Sequence, residues 1–321
     1  MHLSTREATP DDFGQMMRLC HPEPNPDIAR LRHEWDILWA HASMMTLLVE
    51  DRDLPKDRRA LSLMGAIFVR DRFLQESISA RQPFAVSRLV AELEEGERHL
   101  LSDTELGMQN ARDGVVMFVL FLAWQPNGHE HIREETLRSL LVNGFAERFQ
   151  GNNIKWIVGE TAGTIHREIA LRTGCEVLNS YAQYNSRPEA EASSFQPALV
   201  GVSRDGGMKM ENYWFHRMFT YMTPQFCFTD SQRQVLLLAR HGLTDVEIAA
   251  DLAVTPDAVK KRWTAIYERV DAVMPGLLPE SPSGSRGAEK KRALLAYLRD
   301  RTEELRPFER RAQEAISSAR G

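Results

Sequence analysis

Two adjacent lysines, Lys260 and Lys261, sit in the stretch TPDAVKKRWT with Thr255, Asp257, Arg262 and Thr264 close by. Basic and hydroxyl side chains of this kind donate to phosphate oxygens and to base edges, so correct spacing would make them a nucleic-acid contact surface. The spacing is helical. Val259, Trp263, Ile266 and Val270 fall on one stripe, and at about 100° per residue Asp257, Lys260, Lys261 and Thr264 fall on the opposite one. Thr244 joins the set as the first residue of the preceding helix. The candidate DNA contacts are therefore Thr244, Thr255, Asp257, Lys260, Lys261, Arg262 and Thr264.

Other chemistry-bearing residues read as bland. Gly128-His129-Glu130-His131 has metal-binding side chains, but histidines at i and i+2 share no helix face, so the segment reads as a solvated loop. Ser139, Ser180 and the cysteines Cys20, Cys175 and Cys227 have no His or Asp partner at a telling position. No catalytic residue, metal ligand or cofactor is predicted. The cysteines are far apart and form no CxxC, which points to a reducing cytoplasm. The N-terminus has no apolar leader. The longest apolar run, Val115 to Trp124, is too short to span a bilayer, so no membrane partner is expected.

Three helices in quick succession must position the basic pair. Thr229 can cap the first, with Val235, Leu236, Leu238 and Ala239 as its apolar side. His241-Gly242 ends it. Thr244 and Glu247 have capping-box spacing for the second, whose buried side is Ile248, Ala249 and Leu252. After the turn at Ala253-Val254, Thr255 caps the third and Pro256 occupies its first position. A short helix, a tight turn and a helix with a basic outer face form a helix-turn-helix that can enter a major groove.

This stretch resembles the LuxR-type helix-turn-helix of bacterial transcription regulators. Phe228, Thr229, Val235, Leu236, Ala239, Gly242, Thr244, Glu247, Ile248, Ala249, Leu252, Val254, Thr255, Val259, Lys260 and Ile266 stand at the family's places. The chain departs from that pattern at Ser231, Gln232, Gln234, Asp245, Ala258 and Arg262. The resemblance implies a sequence-specific DNA-binding transcriptional regulator that binds double-stranded DNA as a homodimer. Charge is compatible with this: residues 224–321 carry 16 Lys+Arg against 14 Asp+Glu, and the remainder 24 against 31, for a net −5 over 321 residues. A weakly basic DNA-reading half implies modest non-specific affinity.

The N-terminal half alternates strands and helices, which gives an α/β domain. Strands are expected at 3–7, 45–49, 61–69, 115–124, 154–158 and within 175–184. Helices are expected after Asp11-Asp12, over 28–42, 132–149 and 165–172. Ile28, Leu31, Trp35, Leu38 and Trp39 should form the apolar side of the 28–42 helix. The ten apolar residues from Val115 suit a central strand covered on both faces. This order, with LSTREATPDDF near the start and IHREIALRTGCEVLNSY near the end, resembles the GNAT acetyltransferase fold over residues 3–184. That family binds acetyl-CoA with a Q/R-x-x-G-x-G/A loop. This chain has QPNGHEHIREE instead, with one glycine and with Glu130, Glu134 and Glu135 where a pyrophosphate would be repelled. The expectation is a GNAT-like scaffold without transferase activity, not an enzyme, serving as a sensor or oligomerisation domain. The alternative is an N-acyltransferase fused to a DNA-binding module. Trp35, Trp39, Trp124 and Trp156 read as core; lining a small-molecule ligand pocket is the other reading.

The expected organisation is an α/β sensor or oligomerisation domain at 1–206, an apolar connecting segment at 207–226 and the all-α helix-turn-helix domain at 227–310. In the connecting segment Phe215, Met218, Phe219 and Met222 recur at helical spacing. They should anchor a helix that either couples the two domains or belongs to the N-terminal core. Beyond the polar stretch Pro279 to Gly287, a last amphipathic helix at 288–301 either dimerises or packs on its own domain.

Overall fold

The computed structural model describes residues 2–20, 27–40, 44–124, 134–186, 195–209, 214–279 and 286–309. The chain divides into two compact units. One comprises residues 1–106, 113–149 and 154–220; the other comprises 107–112, 150–153 and 221–321.

The first unit is built on seven strands: β1 (Leu3–Arg6), β2 (Met45–Asp51), β3 (Ala60–Val69), β4 (Val115–Trp124), β5 (Ile154–Gly163), β6 (Glu176–Asn179) and β7 (Phe195–Ser203). Their order in the sheet is β1-β2-β3-β4-β5-β7-β6. Every neighbouring pair is antiparallel except β4–β5. The helices are α1 (Phe13–Cys20), α2 (Ile28–Trp39), α3 (Asp71–Ser79), α4 (Ala85–Glu94), α5 (Asp103–Asn110, whose residues from Gly107 on belong to the second unit), α6 (Glu134–Phe149), α7 (Thr164–Arg172), α8 (Ala182–Asn185), α9 (Arg204–Met208) and α10 (Trp214–Phe219). A mixed sheet with flanking helices is the α/β class that the alternation of strands and helices in the sequence implied.

The central strand shows why its sequence is apolar throughout. Val115 and Met117 face a core built with Leu137, Leu141, Phe145 and Phe149 of α6. Val116 and Phe118 face the opposite core, with Phe73, Leu74, Leu89 and Val90 of α3 and α4. Alternation along β4 thus feeds two hydrophobic layers. A third cluster joins Phe13, Met16 and Trp35 of α1 and α2 to Leu48 and Leu63.

Three expectations are corrected here. The sequence reading stops the sheet at residue 184 and has no strand at β7. Pro197 and Gly201 argue locally against one, yet β7 pairs with β5 on one side and β6 on the other. Gly201 is required there, because a Cβ would lie 2.8 Å from Leu178 Cδ1 and 3.1 Å from the Ile157 carbonyl. Ile28 is 58% exposed, so the apolar side of α2 is carried by buried Trp35 and Leu38, with half-buried Leu31 and Trp39 packed against the core. Met222 is 48% exposed and lies beyond α10, whereas Met218 and Phe219 are buried in the first unit's core. Phe219 fits because Gly207 has no Cβ, which would stand 2.2 Å from its ring.

The second unit contains α11 (Asp230–Arg240), α12 (Asp245–Asp251), α13 (Pro256–Val273), α14 (Arg286–Arg299) and a short turn at Thr302–Leu305. Thr229, Thr244 and Thr255 cap α11, α12 and α13 as their sequence positions suggest. Glu247 closes the second capping box, accepting from Thr244 N at 2.7 Å and Thr244 Oγ1 at 2.8 Å. Ala253 makes the α12–α13 turn at φ +51°, and Val254 N donates to the Ala249 carbonyl at 2.9 Å. Val235, Leu236, Ile248, Val259, Ile266 and Val270 share one core with Leu294 and Leu298 of α14. The last helix therefore packs on its own unit. Among the described residues, no helix is long and apolar enough to cross a membrane. None of the three cysteines is part of a disulfide.

Candidate active site

The sheet opens at one place. β4 and β5 run parallel and pair from Val115–Ile154 to Val119–Gly159, with no further pairing between them among the described residues. Beyond that point β4 stays on β3, through Phe121–Gly65 to Trp124–Ser62, and β5 stays on β7, from Glu160–Leu199 onward. Each strand thus presents one backbone edge without a neighbouring strand to the gap between them. Such an edge can accept the amides of an extended ligand.

A bulge marks the parting. Val119 pairs with Ala66 and Phe121 with Gly65, so Leu120 is the extra residue. Gly65 makes this feasible: the Phe121 ring lies where a Cβ at residue 65 would stand, 2.2 Å away. Bulges bend a strand and re-aim its side chains, which is why they recur beside sites.

Glu160 is the first residue of β5 past its last pairing with β4. Its carboxylate accepts from Phe84 N and Ala85 N, each at 2.7 Å, and so caps α4 from a distant strand. Phe84 holds φ +73° to present its N–H there. Tyr181, with φ +45°, is 1% exposed, and its hydroxyl lies 3.5 Å from Glu160 Oε2. Asn179 fixes Tyr181: its Oδ1 accepts from Tyr181 N at 2.9 Å while its Nδ2 donates to the Ala80 carbonyl at 2.8 Å. Two of the four positive-φ non-glycine residues among those described therefore converge on one carboxylate. Backbone strain of this kind persists only where surrounding contacts over-determine it, and it clusters at functional sites.

The electrostatics of the pair follow from burial. Desolvation pushes the Glu160 carboxyl above its ordinary range, opposed by the two backbone donors and by Arg88. Burial, and then the Glu160 charge, raise the Tyr181 hydroxyl. Arg88 stacks over Phe73 at 5.3 Å and donates to Ser77 Oγ at 2.6 Å. A carboxylate raised toward neutrality where two strands part is suited to taking a proton from a substrate amine.

The residues that the sequence put forward lie elsewhere. Thr255, Asp257, Lys260, Lys261 and Thr264 are exposed on α13, and Thr244 is exposed at the start of α12. Arg262 is half-buried and turns away from that outer face. Asp245 departs from the LuxR-type pattern with a use of its own: it accepts from Trp263 Nε1 at 3.1 Å and from Lys291 Nζ at 2.9 Å. Glu160 and Tyr181 were missed by sequence reasoning. Their one local signal is a carboxylate closing the apolar run IKWIVG. The GHEH segment and the stretch that stands in place of a pyrophosphate loop, residues 125–133, lie outside the described residues. Glu135 is exposed on the first turn of α6.

No family model and no curated protein matches the chain. Solved structures do resemble it. Mosquito arylalkylamine N-acetyltransferase like 5b is 12% identical, covering 63% of this chain and 99% of that one, with a TM-score of 0.36. Arabidopsis thaliana NAA60 in complex with a bisubstrate analogue is 13% identical over 63% and 97%, with a TM-score of 0.37. The GphF GNAT-like decarboxylase in complex with isobutyryl-CoA is 14% identical over 62% and 98%, with a TM-score of 0.36. The expectation of a non-enzymatic transcription regulator is corrected. Two of the three carry enzyme names, an N-acetyltransferase and an acyl-CoA-bound decarboxylase, and the third is bound to a bisubstrate analogue; the alternative reading of the sequence accords with them better. With TM-scores below 0.5, they leave the chemistry to be argued from the cleft's own residues.

Proposed function

We propose that this chain is an N-acyltransferase joined to a DNA-binding module. The observation that carries the enzymatic half is the parting of parallel β4 and β5 at a bulge, with half-buried Glu160 at the first position of β5 that no longer pairs with β4. An acyl thioester lies along the exposed strand edges, and its amide-bearing arm hydrogen-bonds to the backbone. Glu160 takes the proton of an acceptor amine as the nitrogen attacks the thioester carbonyl. The C–N bond forms, the C–S bond breaks and the sulfur departs as a thiol once protonated. Tyr181 holds its hydroxyl beside the base. The acidic side chain of Glu135 disfavours a pyrophosphate near the start of α6, so donors with and without that group should be compared.

The test is thiol release from acetyl-CoA, longer acyl-CoA esters and acyl-pantetheine with a panel of amines. Amine-dependent release that Glu160→Gln lowers about 10²–10⁴-fold supports the reading. Absence of amine-dependent release with every donor overturns it, as does an unaffected Glu160→Gln variant.

The second module is read as a LuxR-type helix-turn-helix occupying 227–310, behind a catalytic region at 1–206 and a connecting segment at 207–226. Its support is the triad of threonine caps and the exposed lysine pair. On this reading α13 enters a major groove, with Thr244, Thr255, Asp257, Lys260, Lys261 and Thr264 toward the DNA and Arg262 at the rim. Pairing of two chains would double the contacts. Each phosphate contact contributes about −0.9 to the slope of log K against log salt. Lys260→Ala with Lys261→Ala should flatten that slope; an unchanged slope and affinity refute the assignment.

A further inference from the structure

The first unit contains a second cluster of ionisable side chains that acyl transfer does not use. Glu76 on α3, Glu92 on α4 and His99 just after α4 bring ligating atoms within 4.8 Å of one another. His99 is 2% exposed and its backbone is pinned to the end of β3: its carbonyl accepts from Arg70 N at 2.8 Å, and Leu100 bridges to Val69. Its ring packs on Phe73, with centroids 5.4 Å apart. The imidazole therefore has little freedom to turn away.

His99 Nε2 stands 3.0 Å from Glu92 Oε2. Yet this buried Oε2 takes part in no hydrogen bond among the described residues, and neither does His99 Nδ1. A neutral imidazole carries one donor and one acceptor nitrogen. With the proton on Nδ1, two lone pairs face each other across 3.0 Å and the Nδ1–H has no acceptor among the described residues; with the proton on Nε2, Nδ1 is a buried acceptor without a donor; with both protonated, Nε2–H faces the carboxylate and Nδ1–H stays without an acceptor. Facing lone pairs are costly to bury, and a shared cation between Nε2 and Oε2 removes that repulsion. Tetrahedral ligands at about 2.0–2.1 Å from zinc stand about 3.3 Å apart, close to the separation found here.

The surroundings orient the carboxylates for such a role. Arg72 Nε holds Glu76 Oε1 at 2.7 Å, and Arg88 Nε approaches Glu92 Oε1 at 3.8 Å, so one oxygen of each glutamate is left for a ligand. Groups that hold the outer atoms of metal ligands in this way fix their direction. Glu95 and Glu97 also line the cleft. Four carboxylates against two guanidiniums leave two negative charges, the complement of a divalent ion.

We propose that Glu76, Glu92 and His99 form a binding site for a divalent transition-metal ion of the zinc class. Imidazole favours such ions over magnesium or calcium. Three protein ligands leave a coordination position open to the cleft. The ion would tie α3 to α4 and to the strand-like segment at Leu100. This site is independent of the acyl-transfer reading.

The experiment is a titration of the full chain, stripped with chelator, with Zn²⁺ alone against a chromophoric competitor. One site per chain is expected, weakened at least about tenfold by Glu76→Gln and by Glu92→Gln. Zn²⁺ should raise the melting temperature of the wild type and leave both variants unmoved. Glu76 is partly exposed, so its variant keeps the test valid if His99→Gln fails to fold. The proposal falls if the wild type binds no Zn²⁺, if both glutamate variants bind as it does, or if equimolar Mg²⁺ displaces the ion.

Discussion

Two glutamates make the same local contact in the two halves of this molecule. Glu160 accepts from consecutive backbone donors, Phe84 N and Ala85 N; Glu304 accepts from Gln225 N at 2.8 Å and Phe226 N at 3.0 Å. Burial raises both carboxyls, and backbone donors oppose the rise in both. The difference lies in what else is near. Glu304 is 2% exposed beside Leu305 and Phe226 in the second unit's core. Glu160 stands where two strands separate, with a tyrosine hydroxyl beside it. A perturbed carboxylate is thus a staple in one place and a candidate base in the other. What separates them is the end of strand pairing beside Glu160, not the shift.

The sharpest break of this comparison is Glu160→Gln against Glu304→Gln in a transfer assay. Loss of the base should raise the barrier by about 3–5 kcal/mol, whereas the Glu304 variant should keep its kcat. Equal losses in both would erase the distinction. The pH profile sharpens it: the wild-type rate should climb as Glu160 ionises, with a midpoint above the ordinary carboxylate range, and Glu160→Gln should lose that limb.

Stability should show the opposite ranking. Glu304→Ala strands two buried N–H donors and should cost about 2–4 kcal/mol in denaturant unfolding, with no change in acyl-donor affinity. A smaller loss, about 1–3 kcal/mol, is expected for Gly65→Ala, because the new methyl collides with the Phe121 ring beneath the bulge. Unlike Glu304→Ala, it should weaken donor binding, measurable by calorimetry. Thr244→Ala removes one cap of α12 and should cost about 1 kcal/mol, read from the thermal midpoint. The smallest signal is a slope. Because the folded pKa of Glu304 is raised above its unfolded value, its contribution is fully present below the unfolded pKa and is lost as pH rises through the folded one. Glu304→Gln should remove that part of the pH dependence of unfolding.

Legibility in the sequence tracked locality. The threonine caps, the Val259–Val270 stripe and the continuous apolar run of β4 depend on neighbours within a few residues, and the structure reproduces them. The strand β7 was hidden because Pro197 and Gly201 speak against it locally, while its pairing partners lie far off in sequence. The departure at Asp245 became intelligible only when Trp263 and Lys291 arrived beside it.

The sequence alone determined that the helices at 28–39, 134–149, 164–172 and 230–273 form, where three of them begin, and that a basic pair faces away from an apolar stripe; the helices α3 and α4 were not among them. Those features follow from backbone geometry and side-chain periodicity, which act over one or two turns. Only the tertiary structure decided where β4 and β5 part, and that Glu160 meets the amides of Phe84 and Ala85 and the hydroxyl of Tyr181. It also gathered Glu76, Glu92 and His99 around one cleft. Convergence of residues scattered along the chain is set by strand order and by the packing of α3 and α4 on the sheet. No periodicity within a single segment encodes it.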